Sequence, residues 1–291
     1  MPMAARLGNA MEILVSAEWL SDALGAPDLK VLDATYFALD PSRDARAEYE
    51  TSHIPTAIFM DLPSLKDADN PVPFMLPPAE KFAERMRALG VSDDDRIILY
   101  DNTAHRTAAR AWWMLKTCGT QSVAILDGGL ANWLAEDRPI EIGSGPTPCA
   151  GDFIVHPDFS FLRSIDQIKA NVETGAEQLL DARGKARFTG EEADPRPEVA
   201  PGHIPGSRSL PYDQLFNANG TWKRGDALRT AFENAGIDLS RPLVTTCGSG
   251  VTAAVLLFGA ALLGKADVAL YDGSWSEWGA DPSTPKATGE A

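Results

Sequence analysis

Short apolar runs alternate with longer apolar segments along the chain of 291 residues. The short runs are rich in aliphatic and β-branched side chains, as expected for strands: 96–100, 122–126, 243–246 and 268–271. Longer apolar segments at 107–117 and 252–263 predict helices that follow two of these strands. Short strands that alternate with helices are typical of a mostly parallel sheet with helices on both faces. The pattern therefore predicts an α/β fold.

The chain contains an internal sequence repeat. Four motifs recur in the same order with offsets of 145 to 150 residues: Leu-Asp-Ala at 32–34 and 180–182, His-Ile-Pro at 53–55 and 203–205, the runs that end at 101 and 247, and Asp-Gly turns at 127 and 272. A nearly constant offset indicates a duplicated domain. Glycine, proline and small residues at 143–151 indicate an extended linker. We expect an N-terminal domain at 11–142, a linker at 143–158 and a C-terminal domain at 159–285.

Composition excludes several classes of function. The net charge of −15 would repel phosphates, so nonspecific binding of nucleic acid is not expected. The sequence contains no run of 18 apolar residues, so a membrane span is not expected. Residues 1–10 do not resemble a signal peptide. Three cysteines do not form a disulfide framework, which favours a reducing cytoplasm. No metal-ligand spacing is present, and neither a metal nor a cofactor is expected.

One cysteine lies where an α/β fold places its chemistry. Cys247 ends a predicted strand and precedes a predicted helix, at the carboxyl edge of the sheet. Glycines at the two positions around Ser249 allow successive N–H groups to point into one concavity. The expected anion cradle consists of Gly248, Ser249, Gly250, Val251 and Thr252, with Thr252 as the helix cap. Such a cradle favours the thiolate, which is the nucleophilic form of cysteine.

The other cysteines and the repeated polar residues lack this context. Cys118 is interpreted as a buried apolar residue, and Cys149 lies in the linker. The first half has no cysteine at the position that corresponds to Cys247, so only the second half is expected to be catalytic. The histidines and aspartates that occur in both halves are expected to be structural, the aspartates as turn or capping residues: His53, His203, Asp127 and Asp272.

The motifs together resemble the tandem-rhodanese sulfurtransferases. The resemblance rests on the loop Cys247-Gly-Ser-Gly-Val-Thr-Ala, the repeated Asp-Ala and His-Ile-Pro pattern, and Asp272-Gly-Ser-Trp-Ser-Glu-Trp, and it spans 14–279. It implies two rhodanese-like domains and a cysteine that accepts sulfur as a persulfide. In the branch that the loop resembles most, the small-molecule donor is 3-mercaptopyruvate and pyruvate is released. The sulfur then passes to a thiol acceptor such as thioredoxin, or to cyanide.

Two arginines match the positions that hold the donor in this family. The resemblance implies that Arg187 and Arg196 bind its carboxylate and keto oxygen, and arginine is well suited to a bidentate contact with a carboxylate. The alternative is that both arginines form surface ion pairs with nearby acidic residues, namely Glu191, Glu192 and Asp194.

The loop also discriminates between donors. The thiosulfate branch resembles Cys-Arg-Lys-Gly-Val-Thr, whereas Gly248 and Ser249 are neutral here. Without these cations the loop favours a monoanionic carboxylate over a compact dianion. A thiosulfate:cyanide sulfurtransferase and a noncatalytic persulfide carrier stay as alternatives. A Cys-x5-Arg phosphatase is not favoured, because Ala253 occupies the arginine position.

One departure from the family concerns proton transfer. A serine–histidine–aspartate relay has been described in the mercaptopyruvate branch, and Ser249 matches its serine. Phe74 and Pro63 occupy the places where the histidine and the aspartate are expected. We therefore expect Ser249 to donate a hydrogen bond to the substrate or the thiolate, and the loop itself to activate Cys247.

Overall fold

The computed structural model describes residues 11–38, 40 and 42–290, and this part of the chain contains two five-stranded sheets. All neighbouring strands in both sheets are parallel. The first sheet has the order β1-β5-β4-β2-β3: β1 Leu14–Val15, β2 Leu29–Asp33, β3 Ile58–Phe59, β4 Arg96–Tyr100 and β5 Val123–Leu126. The second has the same order, β6-β10-β9-β7-β8: β6 Leu162–Arg163, β7 Gln178–Asp181, β8 Arg208–Ser209, β9 Leu243–Thr246 and β10 Val268–Tyr271. The equal orders confirm the predicted duplication and the α/β class.

Each sheet is accompanied by helices that connect its strands. The first half contains α1 Ala17–Ala23, α2 Ala45–Thr51, α3 Ala79–Ala88, α4 Ala108–Thr117 and α5 Gly129–Ala135. The second contains α6 Ile165–Thr174, α7 Lys185–Thr189, α8 Gly225–Asn234, α9 Ala253–Leu262 and α10 Ser274–Trp278. Short 3-10 turns lie at Leu62–Ser64, Phe159–Phe161 and Tyr212–Leu215. The predicted runs match β4, β9 and β10 residue for residue, because all but one of their side chains are buried.

The two halves share one hydrophobic core. Helix α9 is buried along almost its whole length, and it packs on its own sheet and on α4 of the first half. The ring of Trp112 on α4 meets Phe258 on α9 edge-on, with centroids 5.0 Å apart. A helix that is apolar on all faces needs partners on all faces. The first half therefore completes the core around the helix that follows Cys247.

The expected linker, 143–158, contains no helix or strand and lies on the first half. The N–H of Gly151 donates to the carbonyl of Arg87 at 2.9 Å, and the N–H of His156 to that of Cys118 at 2.9 Å. Phe153 is buried between these contacts. The second half continues past the expected limit at residue 285, because Ala287 pairs with His203. These contacts support the proposed linker and extend the proposed C-terminal domain.

The repeated aspartates lie in the turns after β5 and β10, and their side chains have a role that the sequence analysis does not predict. Asp127 accepts hydrogen bonds from the N–H of Trp222 and from Arg224, both at 2.9 Å. Asp272 accepts bonds from the N–H of Leu76 and from Arg110, both at 2.6 Å. Each aspartate therefore bonds to the opposite half of the molecule, and the two contacts are related by the duplication.

Asp33 at the end of β2 is a buried carboxyl that forms no ion pair with any residue in the described part of the chain. It is 2% exposed, and burial raises its pKa to about 6 although Thr35 donates to it at 2.9 Å. The corresponding residue of the second half, Asp181, pairs with Arg183 at 2.7 Å. The folded state therefore holds a proton on Asp33 at a pH where the unfolded chain has lost it.

We expect Asp33→Asn to remove a pH-dependent destabilisation. As the pH rises from about 4 to about 6, the unfolding free energy of the unmodified protein falls by up to roughly 3 kcal/mol through this group. The variant should lose that decrease, so its stability advantage grows over this interval and is constant above it. Urea unfolding of both proteins between pH 4.5 and 8 measures the difference. An advantage that does not change with pH would contradict the assignment.

Candidate active site

Cys247 lies directly after β9, at the carboxyl edge of the second sheet. The residue is 2% exposed and borders a cavity of about 470 Å³. Its N–H donates to Ser274 Oγ at 3.2 Å, and its carbonyl accepts the N–H of Trp275 at 2.9 Å. The start of α10 therefore holds the backbone of Cys247 from both sides of the residue.

The loop after Cys247 presents its N–H groups to the cavity. Carbonyl and N–H of a trans peptide point in opposite directions. The carbonyl of Cys247 is bonded by Trp275 and that of Gly248 by the N–H of Ser276, at 2.8 Å, so the N–H groups that follow them are turned the other way. Within the ranges that the structure describes, the N–H groups of 248–252 donate to no protein acceptor. The loop is thus an open set of donors beside a thiol.

Two residues of this loop have backbone angles that the sequence analysis does not predict. Gly250 has a φ of +77°, and a Cβ there would lie 2.9 Å from the carbonyl oxygen of Asp272, so glycine is required. Thr252 occupies the cap position of α9, but its side chain makes no capping bond. The predicted cap is wrong because φ and ψ of Thr252, −77° and −17°, are helical, whereas capping side chains need an extended backbone. The cradle is formed by backbone N–H groups, with the side chain of Ser249 beside them at the cavity.

The first half contains the corresponding loop, which is one residue longer and has several of its N–H groups bonded to acceptors of the chain. Asp101 corresponds to Cys247, and its carbonyl accepts the N–H of Leu130 at 3.0 Å just as that of Cys247 accepts Trp275. The Asp101 carboxylate accepts the N–H groups of Thr103 at 3.3 Å and Ala108 at 2.8 Å. In this half an anion of the chain itself therefore fills the concavity.

Arg187 and Arg196 are held by a single buried carboxylate. Asp194 Oδ2 accepts Arg187 at 2.7 Å and Oδ1 accepts Nε of Arg196 at 2.8 Å. Burial raises the pKa of Asp194, but hydrogen bonds from Arg196 and Arg187 outweigh it and hold the pKa at about 2. Asp194 is thus the ion-pair partner that the alternative interpretation names, whereas Glu191 and Glu192 are exposed. Two guanidinium groups share one negative charge, so a net positive charge is left.

Both arginines nevertheless face the cavity of Cys247. They border it together with the loop, and a Cβ on Gly248 would lie 3.5 Å from Arg187 and 4.0 Å from Arg196. Arg196 also donates to the carbonyl of Gly248 at 3.5 Å and to Ser276 Oγ, which itself donates to that carbonyl at 2.5 Å. The structure thus brings the thiol, the open donors and two cations into one space.

Ser274 and Ser276 are site residues that the sequence analysis did not single out. Ser274 bonds the N–H of Cys247, and Ser276 bonds the carbonyl of Gly248. The first half has Gly129 and Ala131 at these positions. A comparison of the two repeats shows serines in the second half at these positions, but adjacent positions also differ, with Trp275 for Leu130 and Glu277 for Asn132, so the sequence alone does not single the serines out.

Residues of both halves form the remaining wall of the cavity. Ser249 borders the cavity, as do Tyr36, Phe74, His105 and Tyr212, whereas Pro63 does not. His105 stacks on Tyr212 with centroids 6.2 Å apart, and burial lowers the pKa of His105. Arg183 also reaches the cavity, but its guanidinium is bonded to Asp181 and to the carbonyl of Gly202.

Among the described residues, no three His, Cys, Asp or Glu side chains come close enough together to hold a metal ion. None of the described helices is both long and apolar enough to cross a membrane.

Comparisons with known proteins agree with the duplicated architecture. The family model described as a Rhodanese-like domain matches 16–136 and 164–281. The 3-mercaptopyruvate sulfurtransferase of Homo sapiens is 41% identical over 271 residues, which cover 91% of this chain and 91% of that protein. The thiosulfate sulfurtransferase of Cricetulus griseus is 38% identical over 290 residues and 96% of each chain.

A solved structure gives the same result. The crystal structure of SseA from Escherichia coli, a 3-mercaptopyruvate sulfotransferase, matches with a TM-score of 0.83 and 37% identity, over 91% of this chain and 99% of that one. Each family match covers four of the five strands of one sheet, beginning directly after β1 in the first half and directly after β6 in the second, and the catalytic loop lies in the second match. The chain therefore belongs to the tandem-rhodanese family of sulfurtransferases.

Proposed function

We propose that the protein transfers the sulfur of 3-mercaptopyruvate to Cys247 as a persulfide, releases pyruvate, and passes the sulfur to a thiol acceptor such as thioredoxin, or to cyanide. The observation that carries the proposal is the common cavity of Cys247, the open loop donors and the two arginines on Asp194. The names of the relatives in human and Escherichia coli support the same donor.

The first half-reaction needs a thiolate, an anchor for the donor and a place for the new sulfur. The Cys247 thiolate attacks the donor sulfur, so that an S–S bond forms and the C–S bond breaks. The electron pair of the C–S bond passes to the enolate of pyruvate, which takes up a proton to give pyruvate. Arg187 and Arg196 hold the carboxylate and keto oxygen, and the N–H groups of 248–252 stabilise the persulfide anion.

The second half-reaction returns the enzyme to its starting state. The acceptor thiolate attacks the outer sulfur of the persulfide, the new S–S bond forms on the acceptor, and the bond to Cys247 breaks. The same N–H groups receive the Cys247 thiolate that leaves. Ser249 borders the cavity and is placed to donate to the donor or to the persulfide.

The charge distribution supports a carboxylate donor over thiosulfate. The two arginines that share Asp194 belong to α7 and to the segment around Arg196 and lie close to Gly248, but the loop residues Gly248 and Ser249 add no further cation. Thiosulfate is the alternative donor, and the name of the Cricetulus griseus relative, thiosulfate sulfurtransferase, supports this alternative. We also propose a cytoplasmic location, on the basis of three free cysteines: Cys118, Cys149 and Cys247.

The persulfide is predicted to form on Cys247. Incubation with 3-mercaptopyruvate should raise the mass of the intact protein by one sulfur and release one pyruvate per protein before any acceptor is added. Cys247→Ser should abolish both changes, whereas Cys118→Ser should keep them, because burial raises the pKa of Cys118 to about 12 and leaves it protonated. Mass spectrometry with a pyruvate assay measures both. Added sulfur without pyruvate release would favour the persulfide carrier.

The donor should be recognised mainly by the arginines. Arg187→Ala and Arg196→Ala should each raise KM for 3-mercaptopyruvate about ten- to hundredfold, as expected for the loss of a charged contact of roughly 1.5–3 kcal/mol. Arg96→Ala is the matched control, because Arg96 forms a bidentate pair with Asp28 on the surface. Steady-state kinetics measure the effect. Unchanged KM values in both cavity variants would assign the arginines to the fold alone.

The preferred donor is expected to be 3-mercaptopyruvate. With cyanide as the common acceptor, kcat/KM for this donor should exceed that for thiosulfate by at least about tenfold, because the loop carries no cation for the second charge of thiosulfate. Thiocyanate formation measures both reactions. A preference for thiosulfate would replace the proposed donor but leave the persulfide chemistry intact.

A further inference from the structure

A buried arginine of the first half contacts the catalytic loop of the second. Arg110 on α4 is 1% exposed. Its guanidinium donates to Asp272 Oδ1 at 2.6 Å, to the carbonyl of Gly250 at 3.3 Å and to the carbonyl of Phe74 at 2.5 Å. One side chain thus joins the catalytic loop, the turn after β10 and the segment that carries Phe74 into the cavity.

Asp272 extends this contact to Cys247 itself. Its second oxygen accepts the N–H of Leu76 at 2.6 Å, which fixes the first half against the turn after β10. Two residues along this turn, Ser274 Oγ accepts the N–H of Cys247. The Arg110–Asp272 pair is therefore in direct contact with the Gly250 end of the loop and is linked to its Cys247 end.

The contact with Gly250 has a directional consequence. Arg110 does not border the cavity, whereas Val251 does. Because the carbonyl of Gly250 points to Arg110, the N–H of Val251 in the same peptide points the opposite way. The guanidinium holds this N–H in the set of donors that face the cavity.

The duplication shows that the fold itself does not require a buried pair. The aspartate related to Asp272 is Asp127, and it pairs with an arginine from another segment, Arg224 before α8, which is 53% exposed. Val255 occupies the position in α9 that Arg110 has in α4. Burying two charges costs several kcal/mol of solvation for each ion. Of the two related aspartates, the one beside the catalytic loop is the one whose ion pair is fully buried.

We propose that Arg110 and Asp272 are positioning residues that hold the catalytic loop in its open-donor conformation, so that the noncatalytic half controls the reactivity of Cys247. The proposal rests on the proposed function for its rate measurement. Neither residue touches the donor. Their loss should therefore slow persulfide formation while KM, which depends on Arg187 and Arg196, changes little.

The test compares the buried pair with its exposed counterpart. Arg110→Lys and Asp272→Asn should lower the single-turnover rate of pyruvate release about a hundredfold, as expected for a catalytic group displaced by about 1 Å, with KM within about twofold. Asp127→Asn and Arg224→Met should keep the unmodified rate. Alkylation of Cys247 by iodoacetamide, followed by peptide mass mapping, should slow in parallel in the first two variants and needs no donor.

A further variant separates positioning from stability. Single replacements leave a buried charge unpaired and can unfold the protein, whereas Arg110→Met with Asp272→Leu removes both charges together. The double variant should keep a native melting temperature and show the slow rate and slow alkylation. Normal pyruvate release and alkylation in the folded double variant would overturn the proposal. An unmodified protein that releases no pyruvate would instead overturn the proposed function, and alkylation rates would still test the positioning role.

Discussion

A trans peptide cannot turn its carbonyl and its N–H to the same side, and the catalytic loop depends on this constraint. Three carbonyls of the loop have partners on the protein side: Cys247 with Trp275, Gly248 with Ser276, and Gly250 with Arg110. The N–H groups that follow are consequently directed away from these partners. The N–H donors beside Cys247 are therefore oriented by three residues that do not border the cavity, namely Trp275, Ser276 and Arg110.

The two halves stabilise the loop between strand and helix in different ways. The first half closes its loop with the carboxylate of Asp101, whereas the second supports its open loop from outside with Ser274, Ser276 and Arg110. The supporting groups replace Gly129 and Ala131 or come from the opposite half. An open set of donors thus requires more external bonds than a filled one, and the domain interface provides part of them.

Sequence reasoning recovered the elements that depend on local patterns. The strands were predictable because runs of apolar side chains are typical of buried strands. The duplication was predictable because the repeated motifs have a nearly constant offset. Cys247 was predicted from its loop and its place after a strand, and Arg187 and Arg196 from the family resemblance, and the structure brings all three to one cavity. The cap at Thr252 was predicted from residue type, but the backbone of the loop decides it.

The site residues that the sequence did not predict depend on contacts between segments that are distant along the chain. Arg110 and Asp272 are separated by 162 positions, and Arg196 and Ser276 by 80. No local pattern distinguishes such an arginine from other residues of a helix. The interfacial roles of Asp127 and Asp272 were missed for the same reason, since an Asp-Gly sequence is equally typical of a simple turn.

The side chain of Asp101 gives the first half a loop that is bonded within its own chain. It accepts two N–H groups of its own segment, while the N–H of Leu130 and the hydroxyl of Thr35 bond the same segment from outside. The first half therefore keeps the strand, loop and helix of the catalytic half without a nucleophile in the loop. Its α4 is consequently free to serve the other half, to which it presents Trp112 at the core and Arg110 at the catalytic loop.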